Sequence, residues 1–402
     1  MNRLGIAMLL AAGAVVVTAC GASPEDAAAE DDATTTTGAA TSSTSESVAV
    51  PDGPSALTDR TAEAFPDPLV PVEEIISGGP PPDGIPPLDD PIFADVADSV
   101  DQLEPAESVV ALEINGDARA YPVRVLMWHE IVNDTVGGIP VSVTYCPLCN
   151  SAVSYHRVVR GVETTFGTSG SLYASALVMY DRLTESLWTH FDGRAVVGVV
   201  AGDQLEPIGS PLMAWEEFIA VYPTGKVLDW TQTGFDRDYG RNPYEGYDNP
   251  DTDPFLFRGL LDDRERAKQR VVGISVDGVA VAYSMNLIVA GERSVTPAQV
   301  AERDLVILWQ AGQSSALDDS RVGGGDDVGS VGVFVPVVDG TPVTLAVDSD
   351  GFVDEETAST WNIAGRATSG PLEGSRLQRV EHLDTFWFAW STYRPGTTLI
   401  GS

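Results

Sequence analysis

Val109-Val110-Ala111-Leu112-Glu113-Ile114-Asn115-Gly116-Asp117-Ala118-Arg119-Ala120-Tyr121 is the stretch that decides the fold. Apolar residues recur on both sides of Asn115-Gly116. That dipeptide readily supplies the two positive φ angles of a type I′ turn, so the segment predicts a β-hairpin. The pattern returns as Val271-Val272-Gly273-Ile274-Ser275-Val276-Asp277-Gly278-Val279-Ala280-Val281-Ala282-Tyr283.

Downstream, the likeness continues in the same order. Asp181, Thr184, Ser186 and Trp188 match Asp354, Thr357, Ser359 and Trp361. Gly193-Arg194-Ala195 matches Gly365-Arg366-Ala367, and Trp215 and Pro223 match Trp387 and Pro395. Collinear order separates a duplication from chance likeness among β-rich segments. The expected body is therefore mainly β with a few short helices (α+β), internally duplicated into two lobes at residues 107–230 and 269–402. Each copy reads as hairpin, short helix or loop, buried strand, further strands and a closing helix. The closing helices are expected at Leu212–Val221 and Leu383–Tyr393, where Phe386, Trp387 and Trp390 recur at helical spacing as a core stripe.

Between the copies lies a Tyr-rich segment, residues 231–268. Its Asp236-Arg237-Asp238-Tyr239-Gly240-Arg241-Asn242-Pro243-Tyr244-Glu245-Gly246-Tyr247 stretch, with three tyrosines, paired charges and glycines, suits an ordered loop. It is placed either to cap a site by stacking and hydrogen bonding or to pack the lobes together.

The N-terminus sets the compartment. Arg3 precedes an almost wholly apolar run from Leu4 to Val17, followed by Thr18-Ala19-Cys20. That run is short for a membrane span and resembles a bacterial lipoprotein signal at residues 1–20. The resemblance makes Cys20 the lipidated first residue of an exported chain held at the extracytoplasmic face of the membrane. The alternative is a plain signal peptide with an incidental cysteine. Residues 21–60 are acidic and rich in Ala, Ser and Thr, with too little apolar surface to offset chain entropy. They are expected to form a disordered tether. Residues 61–106, dense in proline, are expected to form an extended lead-in. The formal net charge of −36 argues against a nucleic-acid partner, because phosphate binding needs cationic neutralisation.

The chain has three cysteines. With Cys20 acylated, Cys146 and Cys149 remain, in Thr144-Tyr145-Cys146-Pro147-Leu148-Cys149-Asn150-Ser151. The segment follows the β-branched run Ile139–Val143, and Pro147 favours a tight turn with both sulfurs on one side. Such a pair can close into a disulfide, act as a redox dithiol or hold a soft metal such as copper or zinc. No amphipathic helix follows the pair, which counts against a thioredoxin-like fold. In the second copy, both cysteines give way to glutamine (Gln310, Gln313) within a similar frame. Thiols needed for folding alone would be expected in both copies. Four histidines are present. His129 is the favoured third metal ligand by nearness in sequence, ahead of His156, with His190 and His382 weaker. Glu130, Tyr145, Asp181, Arg182, Tyr239 and Tyr244 are candidate site-lining residues.

Several of these motifs together resemble the domain of unknown function 3179 family. They are Trp128-His129-Glu130-Ile131-Val132-Asn133-Asp134, Thr144–Asn150, Met179–Trp188, and Asp236-Arg237-Asp238-Tyr239 with Asn242-Pro243-Tyr244. The resemblance runs from about residue 95 to the C-terminus. It implies a bacterial, often exported protein with a hallmark Cys-Pro-x-Cys segment, here Cys146, Pro147 and Cys149, and it implies no particular reaction. Three functional expectations follow from the residues: redox or electron-transfer chemistry at the cysteine pair, metal binding through Cys146, Cys149 and His129, or a non-catalytic envelope module with a structural disulfide.

Overall fold

Two type I′ turns open the two lobes. Asn115 and Gly116 have φ of 51° and 82°, and Asp277 and Gly278 have 50° and 80°. Each turn pins its register: Ile114 faces Asp117 in one hairpin, and Val276 faces Val279 in the other. The computed structural model describes residues 53–349 and 351–402. The expected signal segment, Cys20 and residues 21–52 of the expected tether lie outside the described residues.

The first lobe has three main four-stranded arrays. Leu212–Ala214, Ser108–Ile114, Asp117–Pro122 and Lys226–Leu228 form one, in that order. Pro207–Ile208, Ser151–His156, Ile139–Cys146 and Ile131–Val136 form the second. Phe166–Tyr173, Ala176–Asp181, Leu187–Thr189 and Ala195–Val197 form the third. The second lobe repeats the order in each. Its arrays run His382–Phe386, Arg270–Val276, Val279–Ser284, Thr398–Ile400; then Gln378–Arg379, Ser330–Val335, Arg303–Gln310, Arg293–Val300; then Leu345–Asp348, Gly351–Asp354, Thr360–Trp361, Ala367–Ser369. In both lobes the last strand of the first array joins in parallel. Both also shift register just before the buried tryptophan, Trp188 or Trp361. Duplication thus extends to the irregularities.

The matched Asp-Thr-Ser-Trp residues brace the same turn in each copy. Asp181 accepts from the Thr184 amide at 2.6 Å and from Trp188 Nε1 at 2.8 Å. Asp354 accepts from the Thr357 amide at 2.6 Å and from Trp361 Nε1 at 3.0 Å. A buried indole N–H requires an acceptor, and each carboxylate provides one while closing its turn. Asp181 is therefore a structural brace; its carboxylate is committed to this turn.

The lobes dock reciprocally. Leu212–Ala214 packs on Ser330–Val335 of the second lobe, and His382–Phe386 packs on Ser151–His156 of the first. The Trp215 and Trp387 amides donate to Glu107 and Gln269, the residues just before the two opening strands. One apolar cluster spans the junction and includes Cys146, Cys149, Val271 and Phe386–Trp390. Both lobes belong to a single compact unit.

Three expectations are corrected. The closing helices start later, at Trp215 and Trp387. The residues before them are strand, because Leu212–Ala214 pairs with Ser108–Val110 and His382–Phe386 pairs with Arg270–Ile274. Long-range pairing overrides the helical pattern there. The N-terminal segment joins the body before residue 60: Ala56 is fully buried and its amide donates to Glu185 O, while Arg60 reaches Ile75 O at 2.6 Å. The lead-in also contributes short pairing segments. Ile76–Ser77, Leu88–Asp89 and Phe93–Asp95 each extend a sheet of the first lobe.

Candidate functional site

The cysteine turn follows directly from its sequence. Ile139–Cys146 and Ser151–His156 pair antiparallel, with Cys146 opposite Ser151, so four residues must reverse the chain. Asn150 takes φ 47°, a left-handed conformation that asparagine tolerates, and its amide donates to Pro147 O. Tyr145 Oη donates to Asn150 Oδ1 at 3.0 Å and fixes the turn's exit. The second lobe clamps the turn from outside. Thr385 Oγ1 donates to Cys149 O at 2.7 Å, and the Phe386 amide donates to the same oxygen at 3.2 Å.

Both thiols are free, so the expected disulfide is not closed here. Their exposures are 1% for Cys146 and 0% for Cys149. The third member of the cluster is His190. The two sulfurs and a ring nitrogen of His190 all lie within 4.8 Å of one another. His190 follows the strand Leu187–Thr189. Its amide donates to Leu177 O, and its carbonyl accepts from Tyr155 Oη at 2.8 Å. The ring is fully buried, and neither Nδ1 nor Nε2 has a hydrogen-bond partner among the described residues. Burial pulls its basicity down, to a pKa of about 3.

The thiols differ in acidity. Burial disfavours a charged Cys146, but hydrogen bonds from the Cys149 thiol and from the main chain of Leu177, Cys149 and Leu148 outweigh it and lower its pKa. Burial and the neighbouring Cys146 push Cys149 well up, although its sulfur lies 2.9 Å from Ser151 Oγ. Glu130 sits at φ 58°, where the helix Val123–His129 ends. Burial first, then the charge of Cys146, pushes its carboxyl up to about 8.

His129 is not part of this cluster. The Val123–His129 helix does end beside the cysteine strand, but the imidazole points away from it. Its Nδ1 lies 2.6 Å from Pro86 O and its Nε2 lies 2.7 Å from Tyr239 Oη. Both of its nitrogens are thus engaged, and the imidazole that lies beside the two thiols is that of His190. Tyr239 is thereby a partner of His129. Arg182 pairs with Asp83 and Asp89 rather than with the cysteines. Glu130, Tyr145 and Tyr244 do lie within electrostatic reach of Cys146. Tyr247, from the inter-lobe segment, donates to Leu148 O at 3.1 Å in the middle of the turn. His156 is half-buried on the strand leaving the turn, and His382 Nδ1 lies 2.9 Å from Val380 O.

The segment between the lobes acts as a cap over the turn. Its Tyr247 amide bonds to Leu317 O and its Gly246 amide to Asp318 O, in the 311–329 loop. That loop stands where the first lobe has its four-residue cysteine turn, since Gln310 pairs with Ser330 as Cys146 does with Ser151.

The equivalent site in the second lobe is filled differently. Ser330 Oγ lies 3.0 Å from Gln313 Oε1 and in hydrogen-bond contact with the Glu217 carboxyl. Gln310 Nε2 donates to Glu217 Oε1 at 2.8 Å. Glu217 comes from the closing helix of the first lobe; the matching position in the other closing helix is Ala389. The His190 position corresponds to Ile363, because the preceding Thr189 and Asn362 make the same amide bonds, to Arg194 O and Arg366 O. All three clustered donors thus have non-ligating counterparts, Gln310, Gln313 and Ile363, on an otherwise shared framework. Comparing the copies for chemical change at His190/Ile363 was the available signal for this residue.

Fold and site define a class: an internally duplicated, mainly β protein with a buried Cys-x-x-Cys and histidine cluster in one lobe. The profile described as "Protein of unknown function (DUF3179)" matches residues 82–397, and the chain belongs to that family. No curated protein matches the chain. No solved structure matches it either.

Proposed function

We propose that this chain binds a single soft cation through Cys146, Cys149 and His190, and that it does so as a lipid-anchored protein on the outer side of the cell membrane. One observation carries the metal reading. An imidazole with both nitrogens buried and unpartnered lies against two buried thiols. Leaving such atoms unsatisfied costs about 1–3 kcal/mol each, and a bound cation would satisfy the one ring nitrogen that carries no proton. Two sulfurs and one nitrogen are soft donors suited to copper(I) or zinc. Structural zinc usually takes four ligands, whereas the cluster of mutually close donors has three, which favours copper(I). The asymmetry between the lobes supports the same reading, since the fold forms its second copy without these donors.

The test is an anaerobic titration of the reduced protein with copper(I) against a competing chelator. One equivalent is expected to bind, with loss on Cys146→Ser, Cys149→Ser or His190→Ala and none on His129→Ala. Binding that survives replacement of both cysteines would overturn the assignment. Anchoring is tested separately by fatty-acid labelling, which Cys20→Ala should abolish.

The second reading is a dithiol that closes to a disulfide, releasing two protons and two electrons to an external disulfide oxidant. The divergent acidities of Cys146 and Cys149 favour it. Their burial weighs against it, because a partner disulfide must reach the attacking sulfur.

A further inference from the structure

We infer that Arg366, Arg376 and Arg379, where the second lobe meets the first, form a seat for a small oxyanion of the phosphate type. Arg366 reaches the Glu113 carboxylate at 2.5 Å, and Arg376 reaches the same carboxylate at 3.1 Å. One acidic group of the first lobe thus serves two arginines of the second. The Arg366 guanidinium also lies 4.6 Å from the centre of the Tyr222 ring, just past the helix Trp215–Val221. Arg379 belongs to the same group, since Tyr222, Glu113 and Arg366 all act on it electrostatically.

Arg379 carries the argument. It is half-buried, and its guanidinium makes no hydrogen bond or ion pair among the described residues. Its one recorded side-chain partner is the Phe334 ring, 5.7 Å away. Burial pulls its basicity down from the ordinary arginine value. A further acidic neighbour, Glu381, is engaged elsewhere: its carboxylate accepts from the Gly209 amide. Three guanidinium groups face two carboxylates here, which leaves one positive charge in excess in a chain that carries −36. Holding a charged group partly out of water without a partner is costly. The planar fork of an arginine matches the oxygens of a phosphate, and an oxyanion would supply the missing acceptor.

The first copy lacks this group. The bridge between Arg366 and Arg376 corresponds to that between Arg194 and Gln204. Arg379, opposite Phe334, corresponds to Pro207, opposite Tyr155. Glu113 corresponds to Ser275. The same loop therefore forms without the second and third arginines. A clamp between the lobes accounts for Arg366, Glu113 and Arg376, but Arg379 takes no part in it. The inference concerns a different set of residues from the cysteine cluster and does not depend on metal binding.

The test is isothermal titration calorimetry of the full chain at low ionic strength, with inorganic phosphate and, separately, with glycerol 3-phosphate. One equivalent is expected to bind, and added sodium chloride should weaken it. Binding of both ligands assigns the seat to a phosphate monoester; binding of inorganic phosphate alone assigns it to the free ion. Arg379→Gln should weaken the affinity at least about tenfold, the loss of one charge-assisted hydrogen bond. The unfolding midpoint of that variant should not fall, because no contact of the fold leans on this guanidinium. Glu113→Gln should tighten binding, since it frees two arginines, whereas a clamp alone would show only lost stability. Arg194→Gln, at the matching position of the first copy, should leave binding unchanged. Failure of both ligands to bind would refute the inference. An affinity unchanged in Arg379→Gln would place the anion elsewhere and refute it equally.

Discussion

Replacing His190 by leucine should raise the stability of the metal-free protein and lower that of the metal-loaded one. Leucine is close to histidine in volume and has no polar atoms to satisfy. Both ring nitrogens of His190 are buried without partners. At about 1–3 kcal/mol per unsatisfied atom, the wild-type imidazole costs the apo fold several kcal/mol. Imperfect fit of leucine returns about 1–2 kcal/mol of that. The net expectation for apo His190→Leu is a gain of about 2 kcal/mol. With copper(I) held at a thousandfold excess over the dissociation constant, binding contributes about 4 kcal/mol to the wild type and little to the variant. The ranking should therefore invert, with the loaded wild type ahead by about 2 kcal/mol. The assay is urea unfolding followed by tryptophan fluorescence under anaerobic, reducing conditions, with and without copper(I). A variant about 3 kcal/mol less stable as the apo protein, with its copper-dependent gain intact, would refute the reasoning. It would show that His190 holds the fold together by itself.

Other outcomes follow from the same geometry. Asp181→Ala and Asp354→Ala should each cost about 2–4 kcal/mol, since each strands a buried indole N–H and opens the same turn; near-equal shifts in the unfolding midpoint check this. Glu217 is held at about 7 by burial, against an ordinary value of 4.5. A folded pKa above the unfolded one means that stability is full below about pH 4.5 and falls as pH rises to about 7, by about 1.4 kcal/mol per unit. Glu217→Gln should flatten that slope in unfolding measured from pH 4.5 to 7. Tyr247→Phe removes the hydrogen bond to Leu148 O and should speed extraction of bound metal by a chelator, with a stability cost of about 1 kcal/mol. An unchanged extraction rate would separate the cap from the cysteine turn.

Features set by neighbouring residues were legible in the sequence. Asn115-Gly116 and Asp277-Gly278 determine their turns locally, and the hairpins form as expected. The order of motifs around Trp188 and Trp361 revealed the duplication because identical turns need identical braces. Features set by distant partners were not legible. The strand character of Leu212–Ala214 depends on Ser108–Val110, a hundred residues earlier. Ala56 is ordered by Glu185, which no local composition announces. That His190 rather than His129 lies beside the two thiols has the same cause. Nearness along the chain favoured His129, but its imidazole is held by Pro86 and Tyr239, whereas the main chain of His190 is placed by Leu177 and Tyr155.

The reciprocal docking of the two lobes has an evolutionary consequence. Contacts in which each half lends the other the same element are those of a closed two-fold homodimer. A one-lobe ancestor would have met its twin through these surfaces. Fusion of the genes freed the halves to diverge, so that only one now carries the sulfurs. The two halves expressed as separate polypeptides should still find each other and form a heterodimer.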